Sequence, residues 1–410
     1  FSDFDITTIH RLGQSNIFCL SPGTIHPAPN RSMQCQNLER KGFLSIMAEH
    51  KQHISFLRII SKDTEYLLRC PACHAEALHI NGNDGVACGT CGADYPVDGE
   101  KLLCSLMSDV SDTATKTDIQ KWWGDLYHQL YAGHEDELSA ETLKEQLAKL
   151  EDLFVQRRHM ATIEMPLKDI AGKRVLEIGP GGGGHSSLFA LHGASVVAVD
   201  ITPQRVMATN RKLFLLEGNG RAYQADGENL PFRDNSVDIV YSNGVLHHSE
   251  NTDKCIEEVF RILKPGGKAI IMLYSRHSTT YWLNILPRAI ITGEIFHWPE
   301  AQWIGRLTEG KPKFADTKNP ITRVYSEKQM RYSFRHFTIH SLRKSSFQFD
   351  NFCVPKLSQI RFSLLKMMGR RAHSGGVLVY GAPYMTETAM ELWLGRFIGF
   401  SWNIVAEKDE

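Results

Sequence analysis

The chain has no excess of charge of either sign: Lys plus Arg and Asp plus Glu each number 46. Proteins that grip nucleic acid by its backbone usually carry a basic surplus, so that class is disfavoured. No apolar run reaches the roughly eighteen residues that a membrane-spanning helix requires. The first residues include Asp3 and Asp5 and lack a basic start followed by an apolar core, so no secretory signal is expected. Of nine cysteines, Cys19, Cys35, Cys104, Cys255 and Cys353 show no pairing pattern. What is left is an ordinary globular composition, 42% hydrophobic, with length enough for two or three domains.

Against this background one segment stands out. Residues 175–186 read VLEIGPGGGGHS, an apolar strand that runs straight into a glycine hinge. Glycine tolerates positive φ and lets a ligand touch bare backbone. The next apolar run, SVVAV, ends in Asp200, twenty-one residues past Gly179. An acid at the tip of the second parallel strand is placed to hold two ribose hydroxyls. An adenosine-containing cofactor is the expectation.

The glycines at 179, 181 and 184 satisfy G-x-G-x-x-G, which also allows a nicotinamide or flavin. Three features point instead to S-adenosylmethionine. Glu177, two residues before Gly179, suits a cofactor with a sulfonium and an ammonium group and would repel a pyrophosphate. Residues 224–232, QADGENLPF, give a strand and an acidic turn in which Asp226 can accept from an adenine amino group. VDIVYSNGVLHH (237–248) then reads as a fourth strand, and RILKPGGKAIIMLY (261–274) as a helix end, a turn and a fifth strand.

On these residues, 174–275 resembles a class I S-adenosylmethionine-dependent methyltransferase, of the broad type 11 group that includes the quinone-biosynthesis enzymes. The resemblance implies an α/β fold: a doubly wound, Rossmann-like, seven-stranded sheet. It also implies that Glu177, Gly179, Gly181 and Gly183 form the cofactor loop, with Asp200 on the ribose and Ile201 beside it. Asp226 and Gly227 would face the adenine, and Asn243 the methionine end. The run of four glycines, 181–184, leaves the register readable one residue differently.

A second signal lies upstream. CPAC and CGTC place Cys70, Cys73, Cys88 and Cys91 as two C-x-x-C pairs with fourteen residues between Cys73 and Cys88. Four thiolates at such spacing can close a tetrahedron around a structural zinc ion. A redox dithiol would explain one pair but not two. The segment resembles the small zinc-ribbon activators of tRNA and protein methyltransferases. Thiolate ligands call for a reducing compartment, so a cytoplasmic location is expected.

The expected organisation is then a segment 1–62 of unassigned role, a zinc ribbon 63–108, a linker with N-terminal helices 109–164, and the main domain 165–410. Trp123, Tyr127 and Tyr131 share one helical face, either packed in the core or forming a lid over the cofactor, with Tyr127 the cofactor-site candidate. Leu143, Leu147, Leu150 and Phe154 predict an amphipathic helix docked on the sheet. The closing antiparallel strands are expected in 337–347 and 400–408, with helical insertions at about 275–335 and 352–398 to recognise substrate. Their apolar faces and arginines suit a lid, a membrane surface or an amphipathic anionic acceptor.

Methyl transfer is an in-line displacement that needs alignment and exclusion of water, and a base only for a poor nucleophile. His247, His248, His277 and Tyr325 are the candidate catalytic groups, and Arg323 the candidate clamp for an anion. The leading expectation is methyl transfer to a small or lipid-linked metabolite. An RNA or protein methyltransferase that reads its polymer with the ribbon is the alternative, and a non-catalytic cofactor-binding module ranks last.

Overall fold

The computed structural model describes residues 67–81, 85–108, 113–130, 138–218, 220–309 and 318–409. The segment 1–62 and Tyr131 lie outside them. Of the ribbon, Leu78–Asn81 (β1), Gly85–Cys88 (β2), Asp94–Asp98 (β3) and Leu103–Cys104 (β4) form a four-stranded antiparallel sheet in chain order.

Seven further strands make the main sheet: Arg174–Ile178 (β5), Ser195–Asp200 (β6), Gly220–Gln224 (β7), Val237–Asn243 (β8), Leu263–Tyr274 (β9), Thr338–Ser345 (β10) and Ser401–Glu407 (β11). Their order is β10-β11-β9-β8-β5-β6-β7. β5 to β9 pair in parallel, and β11 inserts antiparallel between β9 and β10. The expected closing pair is therefore present, and the seven-stranded doubly wound sheet stands as read from the sequence.

The Val/Ile-rich strands are buried on both faces, as parallel strands covered by helices must be. Successive residues go to opposite cores. Val175, Val196, Tyr241 and Ile270 face one core, shared with Ala140–Gln156 (α2) and Gly184–Leu191 (α3). Leu176, Val197, Val240 and Ile271 face the other, shared with Thr252–Ile262 (α5) and with the ribbon's Leu68, Val86 and Tyr95. Pro203–Leu215 (α4) follows β6, with Pro203 opening it, where a missing N–H costs nothing. Leu143, Leu147, Leu150 and Phe154 of α2 are all buried, as its periodicity requires.

One detail differs from the sequence reading. LKPGG is not a turn before β9 but a bulge within it, where the pairing with β8 steps from Val237–Leu263 to Ile239–Lys268. Gly266 supplies the positive φ, and a Cβ at Gly267 would fall 2.7 Å from the Lys264 carbonyl oxygen. Asp238 anchors the bulge through Lys264 at 2.6 Å and the Arg174 N–H at 2.8 Å.

The first insertion carries Leu286–Thr292 (α6), Glu300–Leu307 (α7) and Glu327–Ser333 (α8), and packs Tyr281, Ile285, Trp303 and Ile304 into a small core of its own. The second carries Leu357–Met367 (α9) and Ala389–Ile398 (α10).

Candidate active site

The strand order reverses at β5, so a crevice opens at its carboxyl end between the loops after β5 and β8. Gly179, Gly181 and Gly183 all hold positive φ, while Gly179, Gly181, Gly182 and Gly184 line the cavity. Two of these positions have no room for a side chain. A Cβ at Gly179 would lie 2.3 Å from Val245 Cγ2, and one at Gly183 would lie 2.8 Å from Thr209 Cα. The loop thus approaches the segment just after β8 on one side and α4 on the other.

A cavity of about 650 Å³ fills the crevice. Its floor is Ile178, Val199, Ile201, Val245 and Leu246, beside Gly179, Gly181, Asp200, Asp226, Gly227 and Asn243. The Thr202 N–H holds Asp200 Oδ1 at 2.8 Å, while Oδ2 lies 4.0 Å from Arg205. Burial pushes the Asp200 pKa up. An apolar floor with a nearly unshared carboxylate oxygen at the second strand tip fits an adenosine. Asp226 also lines the cavity, but its oxygens are engaged by the Glu228 N–H at 2.9 Å and by Lys116 Nζ at 2.6 Å.

Two residues of the expected cofactor loop stand back from the cavity. Glu177 is buried behind it, where the Ser186 hydroxyl donates to its carboxylate, and burial pushes its pKa up to about 8. Gly183 packs on α4 rather than facing the ligand space.

The roof is Ala114–Leu130 (α1). Lys116, Ile119, Trp123 and Leu126, which share one helical face, line the cavity. Trp123 stacks edge-on to His248 at 5.0 Å and lies under Arg205 at 4.8 Å. One face of the helix covers the cavity, Tyr127 is buried outside the lining, and Trp123 takes the place expected for it.

The catalytic candidates separate. His248 lines the cavity. Its Nδ1 lies 3.1 Å from the Ile321 carbonyl oxygen, 3.0 Å from the Thr322 hydroxyl and 3.4 Å from the Asn319 amide nitrogen, a set that can serve either ring tautomer. Nε2 is buried without a hydrogen-bond partner among the described residues, with Glu309 Oε1 3.9 Å away, and burial lowers the ring's pKa. His247 is fully buried behind it against Tyr274, with ring centroids 3.9 Å apart. The structure places the other two elsewhere. His277 is exposed on the loop after β9, and Tyr325 borders a separate groove with Arg323. Arg323 is no free clamp, since it donates to the carbonyls of Ser249 at 2.6 Å and Glu250 at 2.7 Å.

Beyond the cofactor edge the cavity continues to β10, β11 and the second insertion. Met272, Phe347, Leu392 and Phe400 give it apolar walls. Arg157, Tyr384 and Glu387 join in one polar cluster, with Arg157 donating to Tyr384 at 3.0 Å and to Glu387 at 2.9 Å. Arg158 and Arg396 also line it, exposed and without an ion pair among the described residues. Among the described residues the first insertion reaches the cavity only through Glu309.

In the ribbon, the sulfurs of Cys70, Cys73, Cys88 and Cys91 all lie within 4.8 Å of one another. Cys70 to Cys91 is 3.7 Å and Cys73 to Cys88 is 3.6 Å. A tetrahedron with metal–sulfur bonds of about 2.3 Å has edges of about 3.8 Å, so the cluster fits a zinc-sized ion. The Tyr95 hydroxyl lies 3.2 Å from Cys70 Sγ, a partner of the kind that orients a ligand.

Residues 176–271 match the family described as a methyltransferase domain. A demethylmenaquinone methyltransferase of Clavibacter sepedonicus is 35% identical over 108 residues, 26% of this chain and 43% of that protein. A ubiquinone/menaquinone biosynthesis C-methyltransferase of Idiomarina loihiensis is 34% identical over 130 residues, 28% of this chain and 52% of its own. The chain spans about half the length of the curated relatives it matches. Among solved structures, a SAM-dependent methyltransferase of Methanosarcina mazei aligns with a TM-score of 0.38 at 20% identity, over 58% of this chain and 92% of that one. The segment from β5 to β9, which carries the glycine loop and Asp200, is thus the part of the chain that is similar to methyltransferase domains.

Proposed function

We propose that this protein transfers a methyl group from S-adenosylmethionine to a small or lipid-linked acceptor seated between α10 and the ends of β10 and β11. One observation carries the reading: a single cavity joins the adenosine-fitting floor at Asp200 to a further chamber with apolar and cationic walls, closed on one side by the second insertion. Bound S-adenosylmethionine supplies a methyl group already activated on a sulfonium. The chain's own task is to align the acceptor and keep water out. Ile178, Val199, Ile201 and Leu246 bury the cofactor's adenine, Asp200 holds its ribose, and α1 closes over it. Burial favours the neutral ring of His248, and in the tautomer protonated on Nδ1 its unpartnered Nε2 takes the acceptor's proton where the nucleophile needs a base. Glu309 then lies close enough to offset the positive ring.

The four cysteines, in this reading, hold a structural zinc ion with no open position for substrate, in a reducing compartment such as the cytoplasm. The test is calorimetric titration of S-adenosylhomocysteine into zinc-replete protein, with NADH as control, followed by labelled-methyl transfer to fractionated small-molecule and lipid extracts. Binding of the first ligand alone, and label in an organic-soluble product, supports the reading. Binding of NADH, or label only in RNA or protein, overturns it.

A further inference from the structure

α9 stands almost wholly in solvent. Ile360, Leu364, Met367 and Met368 are 50%, 51%, 75% and 75% exposed, and of the whole helix only Leu365 is buried. The spacing i, i+4, i+7, i+8 puts these four on one face. Four bare apolar residues in a row on a helix are unusual for a surface that meets only water. α10 repeats the pattern: Met390, Trp393 and Phe397 are each more than half exposed on a shared face, while Glu391 and Gly395 turn inward. The first insertion adds exposed Trp282, Leu283 and Ile291, and the Cys353 N–H bonds the Leu283 carbonyl at 2.9 Å, tying the two insertions together.

The charge along the stretch that carries α9 has one sign. From Asn351 to Thr386 the chain has no acidic residue, and it carries Lys356, Arg361, Lys366, Arg370 and Arg371. Two of the five serve the fold. Arg361 makes a two-point pair with Glu391 at 2.7 and 2.8 Å, and Arg370 donates to Thr386 at 2.7 Å. Lys356, Lys366 and Arg371 are exposed and have no ion pair among the described residues. An apolar helix face flanked by unpaired cations fits the boundary between acyl chains and anionic headgroups.

The surface also adjoins the cavity. The same α10 that turns Met390, Trp393 and Phe397 outward lines the acceptor chamber with Leu392, Gly395 and Arg396. Glu391, which fixes α9 through Arg361, lines that chamber too.

We propose that α9 and α10 dock this protein on an anionic lipid bilayer, with α9 lying in the interface and the acceptor chamber opening at headgroup level. The purpose of docking rests on the proposed function, because a lipid-linked acceptor then enters without crossing water. The docking itself is measurable without turnover.

The experiment is vesicle flotation of the full chain with phosphatidylcholine alone and with phosphatidylcholine plus phosphatidylglycerol. Binding is expected to the anionic vesicles, weakening as salt rises. The triple variant Leu364→Ser, Met367→Ser, Met368→Ser should lose about tenfold or more in partitioning. Its melting temperature should hold, since these side chains are turned to solvent. Lys356→Glu with Lys366→Glu and Arg371→Glu should abolish the preference for anionic vesicles. Equal flotation of wild type and triple variant, or none by either, overturns the proposal. So does a wild-type dimer that the triple variant converts to monomer without any vesicle binding, because a second copy then covers the face. Methyl transfer without flotation sinks docking alone, and flotation without cofactor binding sinks the methyltransferase reading alone.

Discussion

The side-chain amide of Asn229 donates to the backbone carbonyl of Pro71 at 2.9 Å. Pro71 lies inside the first C-x-x-C pair, and Asn229 lies in the turn that begins with Asp226. Further bonds run beside it, from the Arg69 N–H to the Pro231 carbonyl at 3.1 Å and from the Arg233 N–H to the Leu67 carbonyl at 2.8 Å. The ribbon is therefore a buttress for one wall of the cofactor cavity. Chelation of the zinc ion proposed for the four cysteines, or Cys88→Ser, should weaken S-adenosylhomocysteine binding as well as lower the melting temperature, although no cysteine of the cluster lines the cavity. Asn229→Ala should do the same more mildly, by about 1 kcal/mol. Calorimetry with and without chelator checks both. Unchanged affinity in the chelated protein would show that the wall stands without the buttress.

Lys116 is the latch of the lid. Its ammonium lies 2.6 Å from Asp226 and 3.2 Å from Glu228, all three nearly out of water. Burial alone would lower the pKa of this lysine, but the hydrogen bond to Asp226 carries it above the ordinary value. Lys116→Met strands two buried carboxylates, a change that typically costs about 3–5 kcal/mol. Faster release of S-adenosylhomocysteine and faster amide exchange across α1 are the expected signs. Stopped-flow dissociation identical to wild type would mean the helix closes without it.

Glu177 gives the ligand-free protein a pH dependence of definite sign. Its carboxyl ionises near pH 8 when folded because burial disfavours the charge, against the ordinary carboxylate range when unfolded. The folded state thus binds the extra proton between those values, so stability falls as pH rises through that window and levels off above about 8. Glu177→Gln keeps an acceptor for Ser186 and removes the titration. The variant should be more stable than wild type by a margin that grows with pH up to about 8, reaching the order of a few kcal/mol. Urea melts across the window test this, and a margin independent of pH would contradict it.

The histidines divide by position. His248→Ala should slow turnover with little effect on cofactor affinity, and activity should fall at acid pH as the ring takes up a second proton. His277→Ala and Tyr325→Phe should keep the wild-type rate, since neither side chain borders the cavity. Single-turnover methyl transfer by the three variants separates these outcomes. Loss of rate in His277→Ala would move the chemistry to another face.

The parts legible in the sequence were those whose backbone geometry leaves no choice of residue. A strand that turns within hydrogen-bonding reach of its neighbours demands glycine, as at Gly179, and a ribose site demands an acid at the next strand tip, as at Asp200. The four cysteines are legible for a similar reason, because ligand chemistry restricts the residue and turn geometry the spacing. Other parts depend on how elements dock. Which of Trp122, Trp123 and Tyr127 faces the cavity follows from the rotation of α1, and its sequence is aromatic on more than one side. A lysine at the cavity face, in register with Trp123, was the available signal for Lys116. Arg157, Tyr384 and Glu387 come together from elements far apart in the chain, and nothing local marks them. Residue type alone nominated His277, Tyr325 and Arg323, and docking turned each away from the cavity.

The Phe400 N–H bonds the Ser346 carbonyl at 3.1 Å, and the Ser401 and Ser346 hydroxyls meet at 2.8 Å. The second insertion therefore leaves and re-enters the sheet at one point, like a loop on a clasp. Lineages could exchange everything between those residues for a short hairpin or a different helical module and still close the sheet. On the proposed function, acceptor choice and cofactor capture sit on opposite sides of that clasp. The fold can acquire a new substrate by replacing one contiguous stretch of gene, with the glycine loop and Asp200 left as they were.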